Sequence, residues 1–344
     1  MPISGLPHPL STLSSLIAAA HSPQISYTFG RLIPTLLIIE SPDALFEPLP
    51  TIDPDAPLVP NAPAEQEVTA IKQKPITSSF RKTLKHLQSK GGYPARFRGF
   101  AIYVVYSILF AIISAPLSAI PIVGQTVGIF VASILLANVS LAWTHIVISE
   151  PSAKPWFRRI PGLQVWKKIA VPTAVFGLAT QLASLPPLIL AKIFGLNKLK
   201  ETGPDMTSGQ QGIVALEGFA IAVLSLVLFL VLVLPANVML TRVQASLLDD
   251  AEETIVPFDR SFGGKVVPEI VGGGGVISMR DAWNTFDWAS RFRLVKAYAK
   301  LILLHFLVWF VFIIVVVIEI LLIARLDPQK IFPGNGEKGG DSEI

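Results

Sequence analysis

Polar and ionisable residues inside long apolar stretches are the candidates for chemistry in this sequence. Five of them stand in or beside such stretches: Gln181, Lys192, His305, Trp309 and Glu319. Burial of such a group in hydrocarbon costs several kcal/mol, so each marks a possible functional site. His305, Trp309, Val316 and Glu319 follow one another at spacings of four, seven and three, which predicts a partly polar face towards a central cavity. The competing interpretation gives these residues no role in a cavity. His305 and Glu319 then lie at opposite membrane interfaces, and Gln181 makes a hydrogen bond to a neighbouring helix.

Other kinds of chemistry find little support. The chain has no cysteine, which excludes a thiolate nucleophile, a thiolate metal site and a disulfide framework. Its five histidines show neither metal-ligand spacing nor a Ser/His/Asp set. The glycine run Gly272 to Gly275 lacks a following Lys-Ser/Thr and therefore predicts a flexible loop. We expect no enzyme, no cofactor and no metal.

The composition indicates a multi-pass membrane protein. Hydrophobic residues make up 51% of the chain and charged residues 15%, whereas soluble domains carry about 25% charged residues. Stretches long enough to cross a bilayer predict six transmembrane helices. They lie at 8–39, at two places within 100–149, and at 169–191, 212–240 and 301–324. The first is the least apolar and is alternatively an interfacial helix, which would give five spans and place the termini on opposite faces.

The connecting segments differ strongly in charge. An acidic, proline-rich stretch predicts a disordered loop over 40–70, and the tail 326–344 is also predicted to be disordered. The segments 72–98 and 154–168 are basic, which predicts binding to anionic lipid headgroups rather than to nucleic acid. Phe80, Leu84 and Leu87 suit a short helix on the membrane surface. The positive-inside rule places the basic connectors on one side and both termini on the other.

The apolar segments divide into three pseudo-repeats, 8–120, 121–195 and 212–324. Their first helices align with Pro34, Ala142 and Pro235 in register. Small residues four apart open these helices, as in Gly124/Gly128 and Gly218/Ala222, and such pairs permit close helix contact. We expect aromatic pairs such as Tyr106/Phe110 to pack against them, although these spacings also arise by chance in apolar helices.

Two local motifs carry a family resemblance. The stretch LPANVMLTRVQ ends an apolar segment and contains Pro235, Asn237, Leu240, Thr241, Arg242 and Gln244. The stretch GYPARFRG precedes another and contains Gly92, Ala95, Phe97, Arg98 and Gly99. Both resemble signatures of the mitochondrial carrier family, with Asn237 where the family has an acid and Leu240 where it has a base. The resemblance implies a barrel of six helices around a central cavity.

The sequence departs from the family pattern at the positions of its ionic pairs. In the family, each first helix of a repeat supplies an acid and a base three apart, and the three pairs close the matrix side as a ring of salt bridges. The corresponding pairs in this sequence are Leu36/Ile39, Thr144/Val147 and Asn237/Leu240, and none is ionic. We interpret Arg242 and Gln244 as structural residues at the membrane edge rather than as solute contacts.

Two functions are therefore compatible with the sequence. The first is transmembrane transport of a small metabolite by a mitochondrial carrier-like protein, for which the inner membrane is the first expectation. The alternative is a carrier-fold scaffold or organisational protein of the outer membrane that does not transport. The first 30 residues carry no Lys, Arg, Asp or Glu, so any targeting information is expected to be internal.

Overall fold

The computed structural model describes residues 25–41, 74–120, 124–196, 206–267 and 271–326, apart from the side chains of 319–320 and 322–326. The predicted acidic loop and tail lie almost entirely outside these residues. The chain divides into two compact units, Met1–Gly30 with Lys296–Ile344 and Arg31–Val295. The described residues form helices joined by loops, with a lone β-bridge between Ser149 and Thr254. The chain is therefore all-helical where it is described.

Within the described residues, four helices are long and apolar enough to cross a membrane, and a bent pair of shorter helices makes a fifth candidate. The first of the four is α3, Phe100–Ser118, which the turn Tyr93–Phe97 precedes. The others are α6, Leu163–Ile193; α7, Ser208–Ser246; and α9, Trp288–Leu326. Their apolar side chains are mostly exposed, as expected for helices in contact with lipid. These helices indicate a multi-pass membrane protein.

The bent pair consists of α4, Gly124–Leu135, and α5, Ala137–Ile148, which meet at 58°. The sequence predicts a single span here. Helix α1, Ile25–Ile39, is the described part of the first predicted span, and its 15 residues extend for about 22 Å. Residues 8–24 of the predicted span 8–39 lie outside the described part.

Helices α1 and α7 each contain one π-helical turn. The turn in α1 is Thr28–Leu32, and the turn in α7 is Phe229–Val233. A proline, Pro34 or Pro235, follows each turn at the same distance. Because proline lacks an amide hydrogen and crowds the carbonyl four residues earlier, the preceding turn widens.

Spanning helices pack against their neighbours in chain order. Helix α3 contacts α4, α4 contacts α6, and α6 contacts α7. Gly124 and Gly128 lie at the first of these contacts, where an added Cβ would stand 2.5 Å from the carbonyl oxygen of Leu117 or 2.7 Å from that of Ser114. The close approach predicted for this glycine pair is present, but it is made with the end of α3 and not with Tyr106 and Phe110.

Gly128→Ala is expected to destabilise the protein by about 1–3 kcal/mol, because the methyl group overlaps a backbone oxygen and forces α3 and α4 apart. Gly218→Ala is the matched control, since an added Cβ there meets nothing within 4 Å. It should change the stability by at most about 1 kcal/mol, in the favourable direction. Thermal unfolding in detergent compares the two. Equal midpoints would show that α3 and α4 do not need this contact.

The long connectors contain helices of their own. Helix α2, Phe80–Gly91, is the short helix expected from the sequence, but its inward side is covered by protein, with Thr83 and Leu87 buried. Leu87 therefore packs against protein, whereas Phe80 and Leu84 are half-buried and Arg81, Lys82 and Lys85 are exposed. Further on, α8, Met279–Asn284, and the start of α9 at Trp288 occupy a region that the sequence assigns to a connector over 241–300.

Candidate functional site

Three helix ends meet within the unit Arg31–Val295. The Ile33–Ile39 part of α1, helix α5 and the Leu234–Ser246 part of α7 contact one another pairwise. We call this meeting point the helix convergence. Every residue from Ile33 to Ile39 is buried, so protein surrounds this end of α1 on all sides. A helix that is apolar all round and buried all round is a core element.

The six positions aligned with the carrier ring lie at the helix convergence. Five of them are buried: Leu36, Ile39, Thr144, Val147 and Leu240. The sixth, Asn237, is half-buried. We call the five buried residues the apolar seal. With four aliphatic side chains and one threonine, the apolar seal contains no charged group and is stabilised by hydrophobic burial.

Arg242 lies beside the apolar seal, and its guanidinium is buried. Nη1 donates to the carbonyl oxygen of Ile38 at 3.1 Å, and Nη2 donates to Oγ1 of Thr285 at 2.9 Å. The rings of Phe262 and Phe286 lie 4.7 and 5.6 Å from the guanidinium carbon. The side chain therefore links the end of α1 to the turn after α8 and is stabilised by cation–π contacts.

Asp259 supplies a nearby negative charge to Arg242. Burial acts to raise the pKa of the Asp259 carboxyl group, but hydrogen bonds from the Ser261 hydroxyl and from the Gly263 and Ser261 amides, together with the charge of Arg242, lower it below its ordinary value. The carboxylate is therefore ionised at neutral pH. This charge partly compensates the buried guanidinium without a direct ion pair.

Glu40 ends α1 with a carboxylate that is fully buried. It accepts hydrogen bonds from the amide of Ile76 at 2.5 Å and from the amide of Thr77 at 3.2 Å, and a further one from the Thr77 hydroxyl. Nη1 of Arg293, at the start of α9, lies 3.4 Å away. Four donors thus compensate the removal of this charge from water. The sequence assigns Glu40 to the acidic loop, and no local signal distinguishes it from the loop acids.

Gln244 joins α7 to α5. Its Oε1 accepts a hydrogen bond from the Thr144 hydroxyl at 2.6 Å, and its backbone oxygen lies 2.8 Å from Nε2 of His145. Both Gln244 and Thr144 are buried. The polar end of the carrier-like motif therefore makes helix-to-helix contacts in the described structure.

A strap, residues 252–259, crosses the helix convergence and ties the connectors together. The amide of Glu150 donates to Glu253 at 2.8 Å, and the amide of Ile255 donates to Ile148 at 2.9 Å. At the other end of the strap, the amide of Ser41 donates to Pro257 at 2.9 Å. The strap thus bonds the residues that follow α1 and α5. Separation of these two helix ends would break its hydrogen bonds.

The strap has two further side-chain contacts. Nε2 of His86, on α2, lies 2.7 Å from the carbonyl oxygen of Ile255. Arg159 pairs with Glu252 and also donates to the Ser149 hydroxyl at 2.8 Å. Glu252 is therefore held by Arg159, and its side chain is only 23% exposed.

The glycine motif shapes the entry into α3. Gly92, with φ +69°, ends α2, and Gly99, with φ +76°, directly precedes α3. Only glycine adopts such backbone angles without strain. Between them, Nε of Arg98 donates to the backbone oxygen of Ile146 in α5. The motif therefore docks the start of α3 on the helix convergence.

The predicted cavity residues lie in two helices, α6 and α9. Gln181 is buried in the middle of α6, and Lys192 is exposed about 16 Å further along the same helix. His305 lies 3.1 Å from the Ser26 hydroxyl and 2.9 Å from the Leu301 carbonyl oxygen, whereas Trp309 is largely exposed. Glu319 lies in α9, with its side chain outside the described part. Gln181 and Lys192 are thus not brought together.

The described part of the chain offers little to a metal ion. No group of three or more His, Asp or Glu residues within it is arranged to hold one. Comparison with protein-family models, with curated proteins and with solved structures finds no match for this chain.

Proposed function

We propose that this chain is a carrier-like membrane protein that has lost transport and serves as a scaffold in a mitochondrial membrane. Burial of the apolar seal is the observation that carries the proposal. The proposal extends the fold to six transmembrane helices in three pseudo-repeats. The mitochondrial part depends on the family resemblance, and the outer membrane suits a carrier-like protein without transport.

The spacing of helix distortions supports the pseudo-repeats. The π turn of α1 begins at Thr28, six residues before Pro34, and that of α7 begins at Phe229, six residues before Pro235. The break between α4 and α5 lies at Leu136, six residues before Ala142. These are the three positions aligned from sequence. An equal offset in three helices is expected if they share one ancestral unit.

The apolar seal supports the loss of transport. A carrier must open at both ends in turn, and here one opening would expose Leu36, Ile39 and Val147 to water. Each of these fully buried side chains contributes about 1.5–3 kcal/mol, so opening costs on the order of 5–9 kcal/mol before the strap is released. A solute would have to favour the open state by at least this much. Micromolar binding supplies about 8 kcal/mol in total, so opening this end would use most of the affinity of an ordinary small solute.

Transport of a small metabolite remains the second candidate, and α6 supplies the observation that favours it. Gln181 is buried at mid-span, and the buried hydroxyl of Thr173 in the same helix has no hydrogen-bond partner among the residues that the structure describes. Interrupted helices, such as the α4–α5 pair, are also common around transporter binding sites. A solute hydrogen-bonded at these two side chains would satisfy Thr173.

Exchange assays in proteoliposomes test the proposal. Vesicles loaded with a metabolite extract are incubated with isotope-labelled extract, and the internal contents are measured by mass spectrometry. We expect exchange no faster than in protein-free vesicles. Saturable exchange of any solute that falls in Gln181→Ala or His305→Ala, but not in the exposed control Lys82→Ala, would establish transport and contradict the scaffold proposal.

A further inference from the structure

An exposed arginine in α1 lies beside two tyrosines of α3. The guanidinium carbon of Arg31 lies 5.5 Å from the centre of the Tyr103 ring. Tyr106 lies three residues further along α3, on nearly the same side of the helix as Tyr103. All three residues belong to the unit Arg31–Val295. Arg31 stands in the π turn of α1 and is exposed, whereas every residue from Leu32 to Ile39 is buried.

The position of Arg31 along the helices indicates its depth. It precedes Glu40 by nine residues, or about 13 Å of helix, and Tyr103 is three residues, or about 5 Å, into α3. Glu40 and the start of α3 belong to the polar end of the unit. The headgroup layer of a bilayer is about 5–8 Å thick on each side. Arg31 and the tyrosines therefore lie near the boundary between headgroups and hydrocarbon, where tyrosine is enriched.

Arg31 needs an anion at this depth. Among the residues that the structure describes, no carboxylate lies within ion-pair distance of it. A guanidinium that leaves bulk water is stabilised by a ligand with two acceptor oxygens, and phosphate fits its planar fork. The phenol groups of Tyr103 and Tyr106 add possible hydrogen-bond donors. The cluster thus combines a fixed cation with polar groups of the type that hold a phosphate.

We propose that Arg31, Tyr103 and Tyr106 form a binding site for a phosphate group, supplied by an anionic phospholipid or by a soluble phosphate ester. The position of the cluster near the boundary between headgroups and hydrocarbon favours the lipid. The site is independent of the proposed scaffold function, since it does not require the apolar seal to remain closed.

Native mass spectrometry of the full chain in detergent tests the site. Phosphatidic acid and, separately, glycerol 3-phosphate are titrated against the wild type, Arg31→Gln and Arg31→Lys. Arg81→Gln is the control, because Arg81 is an exposed cation of α2 outside the cluster. We expect Arg31→Gln to weaken binding about tenfold, as for loss of a charge-assisted hydrogen-bond pair. Arg31→Lys should lie between the two, and Arg81→Gln should match the wild type.

Each result has a defined meaning. Arg31-dependent binding of phosphatidic acid alone supports a lipid site, and Arg31-dependent binding of glycerol 3-phosphate supports a site for soluble esters. Equal affinities of the wild type and Arg31→Gln for both probes would overturn the proposal, as would an equal loss in Arg81→Gln. Unchanged thermal unfolding of Arg31→Gln shows that the variant is folded, which its exposed position leads us to expect.

Discussion

Glu40→Ala is expected to destabilise the protein by about 3–5 kcal/mol, because it leaves Arg293 without its counter-charge and the Ile76 and Thr77 donors unpaired inside the protein. Glu40→Gln should lose less, since the amide oxygen still accepts one of these bonds. Equilibrium unfolding in mixed micelles measures both. The free energy of unfolding should fall in the order wild type, Glu40→Gln, Glu40→Ala.

Glu150→Ala is the matched control for this prediction. Glu150 forms an ion pair with Lys90 at 2.5 Å, but both side chains are substantially exposed. Exposed pairs contribute little to stability.

A double-mutant cycle of Glu40→Ala with Arg293→Met separates the Glu40–Arg293 ion pair from the other contacts of Glu40. If Glu40→Ala lowers the free energy of unfolding by no more than Glu150→Ala does, the buried carboxylate does not stabilise the end of α1.

Arg242→Ala is the second substitution with a large expected effect. It removes the hydrogen bonds to Ile38 and Thr285 and leaves a void between Phe262 and Phe286. Unpaired buried acceptors and the void together should cost about 3–5 kcal/mol. Thermal unfolding in detergent measures the loss.

Arg242→Lys tests whether the guanidinium fork matters. Lysine retains the charge but cannot donate to Ile38 and Thr285 in the same planar geometry, so we expect about half of the loss. Arg81→Ala, at an exposed position of α2, should leave the midpoint unchanged. If Arg242→Lys unfolds as the wild type does, charge alone accounts for the stabilisation and the bridging geometry is unimportant.

The sequence predicts the helices well where their apolar runs are continuous. It places the start of α9 too late, at 301, because Arg291, Arg293, Lys296 and Lys300 interrupt the apolar pattern. Charges do not end a helix; they end its lipid-facing part. The same reasoning begins α6 at 169, whereas the helix begins at Leu163.

The polar contacts of the helix convergence are not predictable from sequence. Glu40 is separated from Thr77 by 37 residues and from Arg293 by 253. Nothing in the local pattern distinguishes it from its acidic neighbours, because its role depends on burial by distant segments. Gly124 and Gly128 were found from their spacing, which reports close contact, but spacing does not identify the partner residues.

Chemical accessibility of the apolar seal tests the closed state most directly. The chain has no cysteine, so Ile39→Cys and Val147→Cys can be labelled with a membrane-impermeant maleimide without background, and Lys82→Cys marks exposed α2. We expect Lys82→Cys to react at once and both seal variants to react at least about a hundredfold more slowly, because opening costs more than about 3 kcal/mol. If a solute made either seal variant react as fast as Lys82→Cys while the protein stayed folded, the claim that this end is permanently closed would be contradicted.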